Sequence, residues 1–315
     1  MTKVSFVIPC YKSELTIEGV VSDIKTIIGT RPEELDYEIV LINDNSPDNV
    51  WNVIKRLSAE DLKIKGYRLS KNFGQYAALM AGYKNASGDI IISLDDDGQT
   101  PAAGALALID KINEGYDVVF GRYLERRDSG FRKFGTYINK KMSESLIGKP
   151  KHIDVTSYYA MKRYVAESMV QYDNPYPYIA GLIFRTTTNC ANVDIKHEYR
   201  IEGESGYTMK KLFSLWLNGF TSFSVKPLRI ATVLGFICSI VGFVVIIYTV
   251  IDRILNPDMP AGYSALASMV LFIGGITMIM LGVIGEYLGR AYISINKSPQ
   301  YVIRDTTTET RDTTD

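Results

Sequence analysis

Three consecutive aspartates, Asp95 to Asp97, stand in the stretch SLDDDGQTP at residues 93–101, directly after the apolar run GDIII at residues 88–92. Two carboxylates ~4 Å apart repel by about 1 kcal/mol in water and about 4 kcal/mol near a protein surface. The chain must therefore expose these acids, protonate one of them or bind a cation. In an extended segment Asp95 and Asp97 share one face, and Asp96 points away from it. Such an oxygen-only pair, completed by phosphate oxygens and water, suits Mg²⁺ or Mn²⁺.

Two alternatives to a metal site stay open at this point. Asp96 or Asp97 caps the helix that follows Pro101, or the acids lie in a solvated turn. Two aspartates separated by one residue are by themselves a weak signal for a metal site. The strands and helices around them must show which of the three alternatives applies.

The first 120 residues alternate strand and helix patterns. Apolar runs predict strands at 3–9, 37–44, 64–70, 89–95 and 117–121, and amphipathic segments predict helices at 14–28, 48–59, 74–85 and 102–113. This alternation predicts an α/β fold with a mostly parallel sheet and helices on both faces. Ligands of such sheets bind beyond the carboxyl ends of the strands. The polar and aromatic residues predicted there are Pro9, Tyr11, Asp44, Asp95 to Asp97 and Arg122.

Composition and motifs argue against several classes of protein. The formal net charge is +0, which argues against a nucleic-acid-binding surface. Three cysteines without a CxxC pair and two distant histidines support neither a disulfide framework nor a zinc site. No GxGxxG follows the first strand and no GxxxxGK(S/T) is present, so a divalent cation on the aspartates is the natural way to meet phosphate charge. The N-terminal run MTKVSFVIPCYK predicts a strand and not a signal peptide.

The last third of the chain contains two long runs without a charge, at residues 230–251 and 265–285. Each matches the ~20 residues that cross a bilayer, and the pair predicts transmembrane helices at about 230–251 and 265–287. The alternative for each is a buried core helix. By the positive-inside rule, both ends of the pair face the cytoplasm and the 252–264 link lies outside. The basic residues that decide this are Lys210, Lys211, Lys226, Arg229, Arg290, Lys297 and Arg304.

Four segments follow from this reading. Residues 1–205 form a cytoplasmic α/β domain, 206–228 an amphipathic segment at the membrane interface, 229–290 the two transmembrane helices, and 291–315 a cytoplasmic tail with a disordered end. In the amphipathic segment Leu212, Leu215, Trp216 and Phe220 recur at helical spacing, beside Lys210 and Lys211. An ordinary amphipathic helix of the soluble domain is the alternative for that segment.

A series of motifs resembles family 2 glycosyltransferases of the dolichol-phosphate-mannose-synthase-like and GtrB-like branch, which glycosylates a polyprenyl phosphate. The motifs are VIPCYKSE, INDNSPD, KNFGQYAALMAG, GDIIISLDDDGQTP, GYDVVFGRY, DVTSYYAMKR, YRIEGESGYTMKKL, FTSFSVKPLRIATVLG and GEYLGRAY. They follow one another in the family's order over almost the whole chain. The resemblance implies the GT-A nucleotide-diphosphosugar fold.

The resemblance also implies roles for individual residues. Those that match nucleotide-sugar contacts are Pro9, Tyr11, Glu14, Asp44 and Asp96, and those that match the metal site are Asp95, Asp97 and Gln99. Those that match phosphate-facing residues are Arg122, Arg132, Arg200 and Lys210, and the catalytic set is Asp95, Asp97, Arg122 and Arg200. The implied metal is Mg²⁺ or Mn²⁺.

Two positions depart from the family pattern. Gly206 replaces the lysine after GES, so one phosphate contact is missing or comes from Lys210 or Lys211. Ser157 stands where GtrB-like members often carry a second aspartate after Asp154, which removes an obvious general base. A polyprenyl phosphate tolerates this loss because it is already an anion at neutral pH, whereas a sugar hydroxyl would need a base.

The predicted activity is inverting transfer of one sugar, most simply from a UDP-hexose, to polyprenyl (undecaprenyl) phosphate at the cytoplasmic membrane face, for modification of a cell-surface glycan. The alternatives are a glycosyltransferase that extends a lipid-linked glycan and, from another class, a non-catalytic membrane scaffold that binds a sugar nucleotide. Two spans are too few for a transporter, so flipping the product calls for a partner flippase. A homo-oligomer stays open.

Overall fold

The computed structural model describes residues 1–98, 101–123, 148–195, 226–255, 262–296 and 298–307. The chain divides into two compact units, one made of Met1–Phe213 with Lys297–Asp315 and the other of Ser214–Asn296. The predicted interface segment is outside the described residues up to position 225, and so are Gln99, Arg132, Arg200 and Lys210.

The first unit contains eight described strands and six described helices. The strands are β1 (Thr2–Cys10), β2 (Leu35–Asn43), β3 (Ile64–Leu69), β4 (Ile90–Ser93), β5 (Val118–Tyr123), β6 (Tyr159–Lys162), β7 (Cys190–Ile195) and β8 (Ile303–Thr306). The helices are α1 (Ile17–Ile28), α2 (Val50–Glu60), α3 (Gln75–Asn85), α4 (Gly104–Asn113), α5 (Arg163–Val170) and α6 (Ile179–Thr186). Every strand and helix predicted for the first 120 residues is present, with its ends shifted by a few residues.

The strands form one sheet in the order β7-β5-β6-β4-β1-β2-β3-β8. β1 pairs in parallel with β2 and β4, and β2 with β3, while β5 and β7 are parallel to each other. β6 runs antiparallel to β4 and β5, and β8 antiparallel to β3. The predicted mostly parallel sheet is therefore confirmed. Because β6 is reversed, the residues just before it lie at the edge where the parallel strands end.

Both faces of the sheet are covered, which explains why its central strands are continuous apolar runs. Phe6 and Ile8 of β1 are buried in a core with residues of α1, α2 and α4. On the opposite face α3 packs against β1 at Gly82, where an added Cβ would clash with Val7 Cγ1. The small residues Ala77, Ala78 and Ala81 of α3 are buried as well. The predicted α/β architecture with helices on both faces thus positions the carboxyl ends of the strands.

The second unit contains two long helices, α7 (Lys226–Leu255) and α8 (Tyr263–Ile295). The predicted spans lie inside them, so their helical nature is confirmed. Within the described residues one stretch is long and apolar enough to cross a membrane, Phe272–Gly289 with a mean hydropathy of 1.6. In α7 the apolar stretch Gly235–Val245 is shorter. Phe243 and Phe272 are both 64% exposed, so the hairpin carries apolar surface that the described chain leaves uncovered.

The C-terminal segment differs from the expected tail. α8 continues to Ile295, and β8 then adds an edge strand to the sheet beside β3. Gln300 is buried and donates from Nε2 to the carbonyls of Tyr172 and Asn174, at 3.1 and 2.8 Å. Four residues are too few to show a strand period, so only the pairing with β3 identifies this strand. The predicted disorder concerns the polar end TTTETRDTTD, residues 306–315. It is wrong for the first two of these residues, because Thr306 belongs to β8 and the Thr307 N–H donates to Gly66 O at 2.9 Å. Residues 308–315 lie outside the described part.

Candidate active site

The acidic cluster lies directly beyond the carboxyl end of β4. Asp95 Oδ1 accepts a hydrogen bond from Gln75 Nε2 at 2.9 Å, and its Oδ2 accepts one from Ser157 Oγ at 2.5 Å. Gln75 is the first residue of α3, and Ser157 precedes the reversed strand β6. Two elements on either side of β4 therefore hold the first carboxylate of the cluster.

Asp96 faces a different part of the same edge. Its Oδ2 accepts the backbone N–H of Tyr11 at 2.9 Å, and its carbonyl accepts Thr16 Oγ1 at 2.6 Å. Asp96 is thus held by the segment that follows β1, whereas Asp95 is held by α3 and the start of β6. The predicted divergence of these two neighbouring side chains is observed.

The cluster is electrostatically unfavourable for its own ionised state. Removal from water raises the pKa of Asp96 to about 6, against the lowering effect of its hydrogen bonds. Burial also raises the pKa of Asp95, and the negative charge of Asp97 raises it further. The side-chain contacts described above for Asp95 and Asp96 come from neutral donors, which leave the negative charge uncompensated. A cation would relieve this repulsion, so the donor set fits a divalent metal.

The protein groups alone do not complete such a site. Among the residues that the structure describes, no group of three or more His, Cys, Asp or Glu side chains is placed to hold a metal ion. Asp95 and Asp97 would need the side chain of Gln99, outside the described residues, or oxygens of a bound diphosphate and water. Oxygen ligands of this kind suit Mg²⁺ or Mn²⁺.

The loops after β1 and β2 are tied to each other beside the acids. The N–H of Asp44 donates to Cys10 O at 3.1 Å, and that of Lys12 donates to Ser46 Oγ at 2.8 Å. Lys12 and Asn45 both have positive φ, 60° and 50°. This packing leaves the Tyr11 side chain 45% exposed at the edge, where an aromatic ring is available to a base.

Asp44 is buried, and its carboxylate serves the protein backbone. Oδ1 accepts the N–H of Phe73 at 2.7 Å, and Oδ2 accepts that of Gly74 at 2.8 Å. Burial raises the pKa of Asp44, and these two hydrogen bonds counteract the rise. Asp44 therefore anchors the turn that enters α3. The base contact implied by the family resemblance stays a prediction.

Two further residues predicted to bind nucleoside have structural contacts in the fold. Pro9 is buried inside β1, opposite Ile42 of β2. Glu14 Oε2 accepts the N–H of Asn49 at 3.1 Å, just before α2, and the Glu14 N–H donates to Asp48 Oδ2 at 2.9 Å. Glu14 thus links the start of α1 to the start of α2, and its role toward a nucleoside stays a prediction.

Arg122 lies at the exposed end of β5, opposite Asp194 of β7. Its Nε donates to Asp194 Oδ1 at 2.6 Å, and this ion pair raises the pKa of Arg122 and lowers that of Asp194. The charge of Asp154 raises the Arg122 pKa further. The guanidinium of Arg122, predicted to contact phosphate, therefore already interacts with carboxylates at the surface.

Sequence reasoning missed the role of Gln75 and the contact that Ser157 makes. Gln75 sits inside the motif KNFGQ, and Ser157 was noted only as the residue that replaces an aspartate. The signal that would have found them is topological. Gln75 is the first residue of α3 and Ser157 comes just before β6, and both α3 and β6 begin at the edge of the sheet where ligands bind. Recognising this needs the reversed direction of β6, which no local pattern shows.

Comparison with known proteins decides the family. The family model described as glycosyl transferase family 2 matches residues 5–170. The chain is also 33% identical over 303 residues to the prophage bactoprenol glucosyl transferase homolog of Escherichia coli, covering 96% of this chain and 98% of that protein. The chain belongs to glycosyl transferase family 2.

The second unit of this glycosyltransferase matches a model described as the GtrB C-terminal hairpin, at residues 226–291. The undecaprenyl-phosphate 4-deoxy-4-formamido-L-arabinose transferase of Proteus mirabilis is 30% identical over 312 residues, covering 96% of this chain and 94% of that protein. These matches place the glycosyltransferase in the GtrB-like polyprenyl-phosphate branch, as the motifs indicated.

A solved structure agrees at the level of the fold. The glucosyl-3-phosphoglycerate synthase of Mycobacterium tuberculosis, in complex with Mn²⁺ and UDP-glucose, superposes with a TM-score of 0.50 at 17% identity, covering 74% of this chain and 78% of that chain. The predicted GT-A fold of the first unit is thereby confirmed.

Proposed function

We propose that this glycosyltransferase transfers one hexose from a UDP-sugar to polyprenyl phosphate, with inversion at the sugar C1, at the cytoplasmic face of a membrane. The observation that carries the proposal is that one chain combines a GT-A acidic edge with a GtrB C-terminal hairpin. Over 96% of its length this chain is similar to a prophage bactoprenol glucosyl transferase homolog. The names of two relatives contain different sugars, a glucosyl group, which is a hexose, and an arabinose derivative, which is a pentose. These names therefore do not select the sugar, and the hexose is part of the proposal.

The acidic edge supports binding of a diphosphate donor with a metal ion. Asp95 and Asp97, with Gln99, would hold Mg²⁺ or Mn²⁺, and Asp96 would contact the sugar or ribose. When bound, the metal neutralises charge on the leaving diphosphate. Tyr11 is exposed where it can stack on the base. Mn²⁺ with UDP-glucose, the pair in the solved structure named above, is the first donor mixture to test.

The chemical step exchanges one bond at C1 for another. An oxygen of the lipid phosphate forms a bond to C1 from the face opposite the donor diphosphate, and the bond from C1 to the diphosphate oxygen breaks. The nucleoside diphosphate leaves with the electron pair. The attacking oxygen is already anionic, so no proton has to be removed.

Ser157 favours a phosphate acceptor over a sugar hydroxyl. Its hydroxyl donates to Asp95 at 2.5 Å, and a neutral hydroxyl is no general base. An enzyme that extends a lipid-linked glycan has to deprotonate its acceptor hydroxyl. Ser157 stands where the family resemblance implies a second aspartate after Asp154, so that position supplies no base here. This contact is the reason to rank lipid phosphate first.

The membrane part of the proposal concerns the hairpin. Both α7 and α8 cross the bilayer, with the 252–264 link outside and the catalytic unit and both termini in the cytoplasm, where nucleotide sugars are made. The amphipathic segment 206–228 brings the active site to the headgroups. Phosphate groups are bound there by four basic residues, Arg122, Arg132, Arg200 and Lys210. A separate flippase would carry the product across.

A defined acceptor panel tests the function. Purified full-length protein in detergent is incubated with Mn²⁺, UDP- or GDP-sugars, and either undecaprenyl phosphate or a lipid-linked glycan. With undecaprenyl phosphate as the only acceptor, we expect two products, undecaprenyl phosphate carrying one sugar and free UDP. Both are detected by mass spectrometry. Transfer only to the lipid-linked glycan would replace the proposal by glycan extension. Donor binding without transfer or hydrolysis would support the scaffold.

A further inference from the structure

We propose that Gln75 and Ser157 are positioning residues that fix the carboxylate of Asp95 for the donor diphosphate and its metal ion. This inference rests on the donor half of the proposed function and is independent of the acceptor. It concerns two side chains that neither the family match nor the motifs assign to the reaction.

The two donors act on different oxygens of the same carboxylate. Gln75 Nε2 lies 2.9 Å from Oδ1, and Ser157 Oγ lies 2.5 Å from Oδ2. One hydrogen bond would let the carboxylate rotate about its last torsion, whereas two bonds from opposite sides fix its plane. Each carboxylate oxygen has a second lone pair, so both stay able to meet a cation or a bound group.

Gln75 is itself held in place by the turn before it. The two preceding N–H groups, of Phe73 and Gly74, donate to the buried carboxylate of Asp44 at 2.7 and 2.8 Å. Gly74 has φ +92°, a conformation that side-chain-bearing residues rarely adopt. The position of Gln75 relative to Asp95 is therefore determined by a buried anchor one residue away.

Ser157 stands between two residues fixed by the sheet. The neighbouring Thr156 donates from Oγ1 to Gly121 O at 2.8 Å, and Tyr158 O accepts the Gly121 N–H at 2.9 Å. Tyr158 is fully buried, with 0% exposure. The Ser157 hydroxyl thus projects from a rigid backbone to Asp95, across 62 residues of sequence.

The exposure of the two donors separates positioning from packing. Gln75 and Ser157 lie at exposed positions, so truncating either removes little buried surface. What each contributes is the orientation of Asp95. Hydrogen bonds that orient a metal-binding carboxylate typically change metal affinity or activity by about 10–100-fold when they are removed.

The test measures donor and metal binding without any acceptor. Calorimetry on the full-length protein in detergent gives the Kd of UDP at saturating Mn²⁺ and the Kd of Mn²⁺ at saturating UDP. We expect Gln75→Ala and Ser157→Ala each to weaken Mn²⁺ binding by about tenfold, with unchanged melting temperature. Ser157→Thr keeps the hydroxyl and should restore the affinity to within about twofold of wild type. Matched controls are Lys84→Ala, at the exposed far end of α3, and Ser22→Ala, exposed on α1.

Coupling to Asp95 decides the mechanism. In an Asp95→Asn background the Gln75→Ala change should have no further effect on either Kd, because residues that act through one group are not additive. Unchanged Mn²⁺ affinity in both single variants would overturn the inference. It would also be overturned if Gln75→Ala weakened Mn²⁺ binding as much in the Asp95→Asn background as in wild type. If that background binds too weakly to titrate, failure of Ser157→Thr to restore affinity overturns it. The protein could bind UDP and Mn²⁺ as expected and yet glycosylate no lipid phosphate. That result would contradict the proposed acceptor but not the positioning role of Gln75 and Ser157.

Discussion

The carboxylate of Asp44 accepts the backbone N–H of Gly74 at 2.8 Å, which ties the end of β2 to the turn that opens α3. The family resemblance implies that Asp44 meets the base of the donor. In the structure both of its oxygens accept backbone N–H groups, since Phe73 N lies 2.7 Å from the other oxygen. One buried acid therefore anchors the turn whose next residue, Gln75, donates to Asp95 at the ligand edge.

Replacing Asp44 by Ala should destabilise the protein as well as the donor site. It leaves two N–H groups of the turn without their acceptor, at a cost of about 1–3 kcal/mol each if they stay buried. We expect a lower melting temperature and weaker UDP binding in the same variant. Asp23→Asn, on the exposed side of α1, is the matched control. An unchanged melting temperature with lost UDP binding would instead favour a direct contact of Asp44 with the base.

Asp97→Asn removes charge where the metal is proposed while it keeps the side-chain volume. We expect a loss of about 2–4 kcal/mol of transition-state stabilisation, roughly 10²–10³ in rate. Asp96→Asn should cost less at the metal, because Asp96 faces the Tyr11 N–H. Sugar transfer is measured with EDTA and after Mg²⁺ or Mn²⁺ is added back. Full turnover in EDTA would show that these acids hold no metal.

Glu38 should make stability depend on pH in the acidic range. Burial by itself would raise its pKa, but hydrogen bonds from Lys65, Ser5 and Ser87 lower it from 4.5 to about 2. Because the folded-state pKa is depressed, the stabilisation is complete above pH ~4.5 and is lost as the pH falls toward ~2. A shift of this size corresponds to on the order of 3 kcal/mol.

The Glu38→Gln variant isolates this contribution. The gap in melting temperature between wild type and variant should be largest at neutral pH and should narrow by pH 3. At that pH Glu38 is mostly protonated in the unfolded chain but mostly ionised in the folded protein, so protonation favours unfolding. The exposed Glu33→Gln change is the control. A gap that is the same at both pH values would mean that Glu38 stabilises by packing and not by charge.

Gln300 should hold the C-terminal segment on the first unit. Gln300→Ala removes the donor to the carbonyls of Tyr172 and Asn174. We expect the free energy of unfolding to fall by about 1–3 kcal/mol. Hydrogen exchange of the β3 amides, next to β8, should rise in the same variant. Gln171→Ala, at an exposed position, is the control and should change neither. Equal exchange in both variants would show that β8 holds its place without Gln300.

Membrane topology is tested by cysteine labelling in intact cells. Probes in the 252–263 link should react with an impermeant reagent, and probes at residue 297 or beyond should not. Cys10 and Cys190 are buried and Cys238 is partly exposed, so a Cys238→Ala background is used. The opposite labelling pattern would place the catalytic unit away from nucleotide sugars and contradict the positive-inside reading.

Elements with a local residue pattern can be predicted from the amino-acid sequence. Strands β1 to β5 and helices α1 to α4 follow from apolar runs and amphipathic periods, and the acids at Asp95 to Asp97 follow from their place after β4. The motifs added the family, because their order is preserved along the chain. Hairpin helices α7 and α8 were also readable, since long runs without charge are a local property too.

Contacts between residues far apart in the chain become visible only in the folded protein. Ser157 reaches Asp95 across 62 residues because β6 enters the sheet reversed, and Thr307 reaches Gly66 across 241 residues because β8 covers the edge of β3. The backbone N–H groups that Asp44 accepts likewise lie 29 and 30 residues away, so the sequence alone does not reveal this anchoring contact, and the predicted base contact stays a prediction. Local periodicity reports the face that a residue buries, but strand order and direction depend on the free energy of packing the whole sheet. Those contacts, and with them the orientation of Asp95, exist only in the assembled fold.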